Sequence, residues 1–265
     1  MKPTATIPLL LCLALPLCCQ QEKPKDLVAE MLATFTKGGI DLDLKSKTLS
    51  IDVEVGHPGQ PLEYLLVNPR GKAYEALLLT EVKASLLNAA LLALGYQKGE
   101  NARMVDKDPP PSMEEIEKGA PIADIIPPSG MSAWFTVAYK DEVGRQRELP
   151  VEDLIVDLTA EKPVEGAKWI FLGGRMGAPN RGDPPVFLAD LAGNLVSICY
   201  LDPPNHLMTM SHQRAADDNN WWVDEKNCPK PGTKLCLTIH RNKPALLVER
   251  EQRRAKDEKR AGKTP

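Results

Sequence analysis

Tyr74-Glu75 opens a mostly apolar run from Ala73 to Thr80, and Glu75 is the residue with the best claim to acid–base chemistry. A carboxylate at the start of a covered strand must be paired, hydrogen-bonded or protonated. Two readings stay open for it. It ties down a neighbouring backbone or meets Lys72 or Arg70, or else it lines a small site with Tyr74. Asn88 sits in the middle of the apolar pattern Ala84–Leu94 and, with Glu75 and Trp222, is a candidate ligand contact. The polar stretch 202–220 holds His206, His212, Asp217 and Asp218. These suit a metal by type, but their spacing matches no zinc or calcium loop, and a solvated loop explains them better. Trp221-Trp222 would point two indoles to opposite faces of a strand, one toward the core and one toward a loop or solvent.

Cysteine placement adds a covalent expectation. Cys228 and Cys236 are separated by Pro229, Pro231 and Gly232, a turn that would bring them together as a disulfide. Cys199 reads as a small buried apolar residue. No CxxC pair is present, which argues against thiol–disulfide exchange.

Other chemistry is missing by motif. There is no GxSxG elbow, HExxH, P-loop or dinucleotide glycine pattern. Gly173-Gly174-Arg175-Met176-Gly177 has the wrong spacing for a phosphate cradle and reads as a tight turn. A net charge of −3 gives no basic face for nucleic acid, and 5% aromatic residues argue against a base-stacking platform. No cofactor is implied.

The elements that must position these residues follow from periodicity. Asn68-Pro69-Arg70-Gly71 is a turn signal. Ala73–Thr80 then reads as a strand, and Ala84–Leu94 as a helix apolar all round its wheel, hence buried, ending at Gly95. SIDVEV within residues 42–55 alternates as a strand, and residues 62–67 return from the His57-Pro58-Gly59 turn as its hairpin partner. Met131–Tyr139 and Arg147–Val156 form a second hairpin, Lys168–Leu172 a further strand, and residues 186–190 with 194–201 a strand pair. Lys234–His240 is the last strand. Residues 103–130, rich in proline, read as an inserted surface excursion holding a short acidic helix at Met113–Lys118.

These patterns predict an α+β fold of mostly antiparallel strands packed on one central buried helix at about 84–95. Residues 1–19 read as an export signal, with Leu-Pro-Leu-Cys18 resembling a lipoprotein box that would lipidate Cys18 or Cys19 despite Leu17 before it. Residues 20–44 form a linker with a short helix capped by Asp26, residues 45–243 the α+β domain, and residues 244–265 a charged tail.

The run GKAYEALLLTEVKASLLNAALLALGYQKG, with WIFLGGRM and PPVFLADLAGNLVSICYL later, resembles the YdjY-domain family of uncharacterised exported bacterial proteins across most of residues 45–241. The resemblance implies His-Glu where this chain has Tyr74-Glu75, and His where it has Asn88. Both imidazoles are replaced here, so a metal or acid–base role for that pair does not carry over. The ferredoxin-like label given to some members needs cysteine clusters that this chain lacks.

The resulting expectation is an exported periplasmic or envelope protein that binds a small ligand or an envelope partner without catalysis. It would touch a membrane only through an N-terminal lipid. The alternative is a hydrolase or transferase with Glu75 as its acid–base residue. A metal or iron–sulfur carrier is third.

Overall fold

The structure, a computed structural model, describes residues 26–56 and 58–261. The leader, the lipidation candidates Cys18 and Cys19, and His57 lie outside the described residues. From the N-terminal end, α1 (Leu27–Lys37) leads to β1 (Ile40–Asp43), β2 (Thr48–Val55) and β3 (Tyr64–Val67). After a 3-10 turn at Ala73–Glu75 come β4 (Ala76–Leu79) and α2 (Ala84–Ala93). An arm of β5 (Arg103–Asp106), α3 (Met113–Glu117) and β6 (Ala123–Ile126) follows. Next are β7 (Ser132–Lys140), β8 (Gln146–Pro150), β9 (Ile155–Asp157), β10 (Lys162–Pro163) and β11 (Lys168–Phe171). The last third holds β12 (Met176–Gly177), β13 (Val186–Phe187), α4 (Leu188–Ala192), β14 (Asn194–Ser197), β15 (Met208–Ser211), β16 (Trp221–Val223), β17 (Lys234–His240) and α5 (Ala245–Ala261).

Eight strands close into a barrel in the order β2-β17-β7-β11-β15-β14-β3-β4, with β4 returning to β2. Strict alternation makes this possible. Ile51, Leu237 and Val137 stand in register on three neighbouring strands, as do Leu49, Ile239 and Phe135. All six point into one continuous core, because side chains two apart on a strand share a face. The β3–β4 and β14–β15 pairs are parallel and the other barrel pairs antiparallel. β1 and β8 lie outside the ring. They pair with the first half of β2 and the second half of β7, beside the stretches that β4 and β11 occupy.

Several expectations need correction. The first hairpin does not form: β4 lies between β2 and β3, bonded to both. The strand expected from Ala73 starts only at Ala76, since residues 73–75 wind into the 3-10 turn. The pair expected at 186–190 and 194–201 is also absent. Two residues of β13 run into α4, Gly193 ends that helix in the left-handed region, and β14 pairs with β3 and β15 instead. Cys199 lies past the end of β14, buried as expected. The polar stretch 202–220 conceals β15, whose Met208 and Met210 enter the core.

α2 ends at Gly95, as its sequence predicts. Gly95 adopts φ +86°, and the Gly95 and Tyr96 amides donate to the Leu92 and Leu91 carbonyls at 2.9 and 3.1 Å, the paired bonds of a Schellman motif. However, α2 is not buried all round: Leu92 is 50% exposed. Its other face lays Leu87, Ala90, Leu91 and Leu94 against the barrel core, where each leucine contributes about 2 kcal/mol. Among the described residues it is one of five helices, and the barrel, rather than α2, organises the chain.

Residues 103–130 are an excursion with structure of their own. β5 and β6 form an antiparallel ribbon, and a capping box at Ser112 and Glu115 starts α3. Gly99 and Gly130 pack against each other at its root, where a side chain on Gly99 would come within 2.3 Å of the Ser129 carbonyl. The charged tail is helical from Ala245 to Ala261, and the first turns of this helix dock. Leu247 is buried, Arg250 pairs with Asp153, and Arg254 reaches Glu165 at 2.8 Å.

Candidate functional site

The segment that carries Glu75 is fixed by two glycines set back to back. A side chain on Gly71 would lie 2.6 Å from the Gly193 carbonyl, and one on Gly193 2.3 Å from the Gly71 nitrogen, so both positions require glycine. Around them the Asn68 amide donates to the Gly193 carbonyl at 2.8 Å, and the Lys72 amide to Asn194 Oδ1 at 3.1 Å. The predicted turn at Asn68–Gly71 is thus anchored on the turn that precedes β14.

This anchoring delivers Lys72 to two carboxylates. Its ammonium donates to Glu75 Oε2 at 2.8 Å and to Glu63 Oε2 at 2.9 Å, and stands 5.8 Å from the centre of the Tyr64 ring. The Gln60 amide donates to Glu75 Oε1 at 2.7 Å. Partial burial alone would lower the Lys72 pKa, but hydrogen bonds to Glu75 and Glu63 outweigh it and raise the pKa above the ordinary value. Burial pushes the Tyr64 phenol up to about 12, so it stays protonated. Both oxygens of Glu75 are therefore held by protein donors. Its sequence neighbour Tyr74 turns away and is 56% exposed, so the two do not share a site.

The remaining candidates do not converge. Asn88 is half-buried, and its Oδ1 is buried without a partner among the described residues. His206 is 2% exposed; burial lowers its pKa to about 4, and its Nε2 has no partner among the described residues. His212 Nδ1 accepts the Arg214 amide at 3.2 Å, and its ring meets Trp221 edge-on at 5.2 Å. Asp217 and Asp218 are exposed and accept from Asn219. Among the described residues no three His, Cys, Asp or Glu side chains stand close enough to hold a metal ion. Trp221 is buried and Trp222 is 40% exposed, the split that adjacent strand positions predict. Trp222 donates to the Asn219 carbonyl at 3.3 Å.

The Cys228–Cys236 disulfide is absent, and both thiols are free. The register explains it. Cys236 alternates with the inward Leu235 and Leu237, so it lies on the outer face of β17, whereas Cys228 packs against the core. Cys199 is buried with its thiol toward the Leu62 carbonyl at 3.6 Å, and burial raises its pKa, so it is held as an unreactive thiol.

Sequence reasoning missed the concave surface beside the Glu75 segment, because its walls come from parts of the chain far apart. A cleft of about 950 Å³ lies between the end of α1 and the 68–73 turn, floored by Leu79, Val82 and Leu86. Lys37, Lys83 and Lys234 line it together with Asp52, Glu54 and Glu81. Lys234 pairs with Glu54, which leaves two cations and two carboxylates without ion-pair partners among the described residues. The Thr80 hydroxyl donates to the Asp52 carbonyl at 2.9 Å and bridges the gap on β2 between β1 and β4.

No family model, curated protein or solved structure matches this chain.

Proposed function

We propose that this chain is an exported cell-envelope protein of the YdjY-domain kind that binds its ligand or partner without turning it over. The observation that supports this reading is the state of Glu75. A general acid or base must offer an oxygen to the substrate, and each Glu75 oxygen already accepts a hydrogen bond, one from Lys72 and one from Gln60. The carboxylate stiffens a turn that forms one wall of the neighbouring cleft. That cleft has the size of a ligand site. Its apolar floor and charge-balanced rim suit a zwitterionic molecule or a short peptide segment of an envelope partner.

The test uses a panel of short peptides with free termini, titrated into the purified protein by NMR. Binding should weaken at least about tenfold in Lys83→Glu, which reverses one rim charge, and should survive in Glu75→Gln. Turnover of an ester, phosphoester or glycoside that disappears in Glu75→Gln would instead establish the hydrolase or transferase reading. Stoichiometric zinc or iron in the purified protein would establish a metal carrier.

A further inference from the structure

The arm of residues 103–126 is built from regular elements that bury almost nothing: Ala123 is its one buried residue. Met104 and Ile125 are register partners and rise on one face of the β5–β6 ribbon, while Val105 and Ile126 lie on the opposite face. All four are exposed, Met104 by 75%, as is Met113 on α3. Neither face of the ribbon is therefore covered. A lone two-stranded ribbon is marginal in water, and apolar side chains gathered in this way mark a contact surface.

A second uncovered apolar surface borders the root of the arm. Leu92 on α2, Leu191 on α4, and Met176 and Val186 on the β12–β13 ribbon are exposed. The Ser85 amide donates to Asp190 Oδ1 at 2.9 Å, which ties α2 to α4. A side chain on Gly177 of β12 would come within 2.7 Å of Leu188 Cδ1, so that ribbon packs closely on α4. Lys98, next to Gly99 at the arm root, lies against Gly173.

The two surfaces match in charge. The arm carries three cations and six carboxylates. Lys107 and Lys118 are taken up by Asp124 and Glu114. Among the described residues this leaves Arg103 as the unpaired cation beside Asp106, Asp108 and Glu117, which have no ion-pair partners. On the other surface Lys98, Arg175 and Arg181 have no carboxylate partner among the described residues, while Asp183 and Asp190 accept hydrogen bonds from the Asn180 and Ser85 amides. The acidic arm disfavours an anionic bilayer as its occupant. From this match we propose that the chain forms a dimer in which the arm of each copy lies on the α2–α4 surface of the other. Each arm springs from the border of the surface it leaves open, so one two-fold rotation can satisfy both contacts and close the assembly. This goes beyond the ligand reading of the first cleft and does not depend on it.

Sedimentation equilibrium of the purified protein over a concentration series tests the association, and a reversible dimer is expected. Asp106→Lys with Glu117→Lys reverses charge on the arm, and Lys98→Glu with Arg181→Glu reverses it on the other surface. All four side chains are exposed, and unchanged thermal melts verify the fold of each double variant. Each double variant should raise the dimer dissociation constant at least about tenfold. An equimolar mixture of the two should restore a heterodimer, because the reversed arm then meets the reversed surface and the unaltered arm meets the unaltered surface. The proposal is overturned by a protein that stays monomeric at every concentration, whether or not it binds phosphatidylcholine vesicles. It is equally overturned by a dimer that both double variants leave intact, or by a mixture that associates no better than either variant alone, which would indicate arm pairing with arm.

Discussion

Lys72 serves two carboxylates at once, and this sharing sets what Glu75 contributes. Removing the Glu75 charge leaves Lys72 with Glu63, so Glu75→Gln should lower stability by only about 1 kcal/mol, given that the Lys72 side chain is 41% exposed and screened. Urea denaturation measures that loss. Two buried residues should have larger and opposite effects on pH dependence. His206 has its folded pKa lowered by burial to about 4 from 6.5. The unfolded chain therefore binds the proton first, and stability is lost as pH falls from 6.5 toward 4, by at most about 3 kcal/mol. His206→Gln should flatten that slope. Glu152, 4% exposed, accepts from Trp169 Nε1 at 2.7 Å and has its pKa raised by burial. Here the folded chain holds the proton longer, so stability falls as pH rises from about 4.5 toward the raised value. Glu152→Gln keeps an acceptor for Trp169 and should be more stable than the parent at pH 7, as denaturation at several pH values will show.

Among the elements, those with strong local signals were legible in the sequence. β17 has its expected bounds and Gly95 ends α2. β7 and β8 form the expected hairpin, but the return strand expected to reach Val156 stops at Pro150, where residues 151–154 wind into a 3-10 turn and β9 joins another sheet. Pairing partners were not legible where the partner is distant. Nothing local to SIDVEV reveals that β4, rather than β3, lies beside β2, since the alternation of β2 serves either neighbour equally. Short elements inside polar surroundings also escaped: β15 is four residues in a loop-like stretch, and α4 is a five-residue turn. At the candidate site, the link from Glu75 to Lys72 was readable from three-residue spacing. The contributions of Gln60 and Glu63 were not, because the fold alone brings them close. Gly95→Ala should cost about 1 kcal/mol at φ +86°, a shift visible in thermal melts. The free thiols give a simpler check. Both Cys228 and Cys236 should react with a thiol reagent after denaturation without reduction, and dithiothreitol should leave the melting temperature unchanged.

At the scale of the whole molecule, the β2–β4 joint is one of the thin seams of the barrel. β2 and β17 share seven register pairs, whereas β2 and β4 share only Glu54–Leu79 and Val55–Leu78, as few as β7 with β11 and β14 with β15. Asp52, Glu54, Leu79 and Thr80 on either side of that seam also border the 950 Å³ cleft. A molecule seated there would rest across the joint and act as a clasp on it. Empty protein should therefore unzip locally between β2 and β4 more readily than between β2 and β17. The occupied cleft would protect the backbone amide of Leu79, which faces β2, from deuterium uptake even though no ligand atom need touch it.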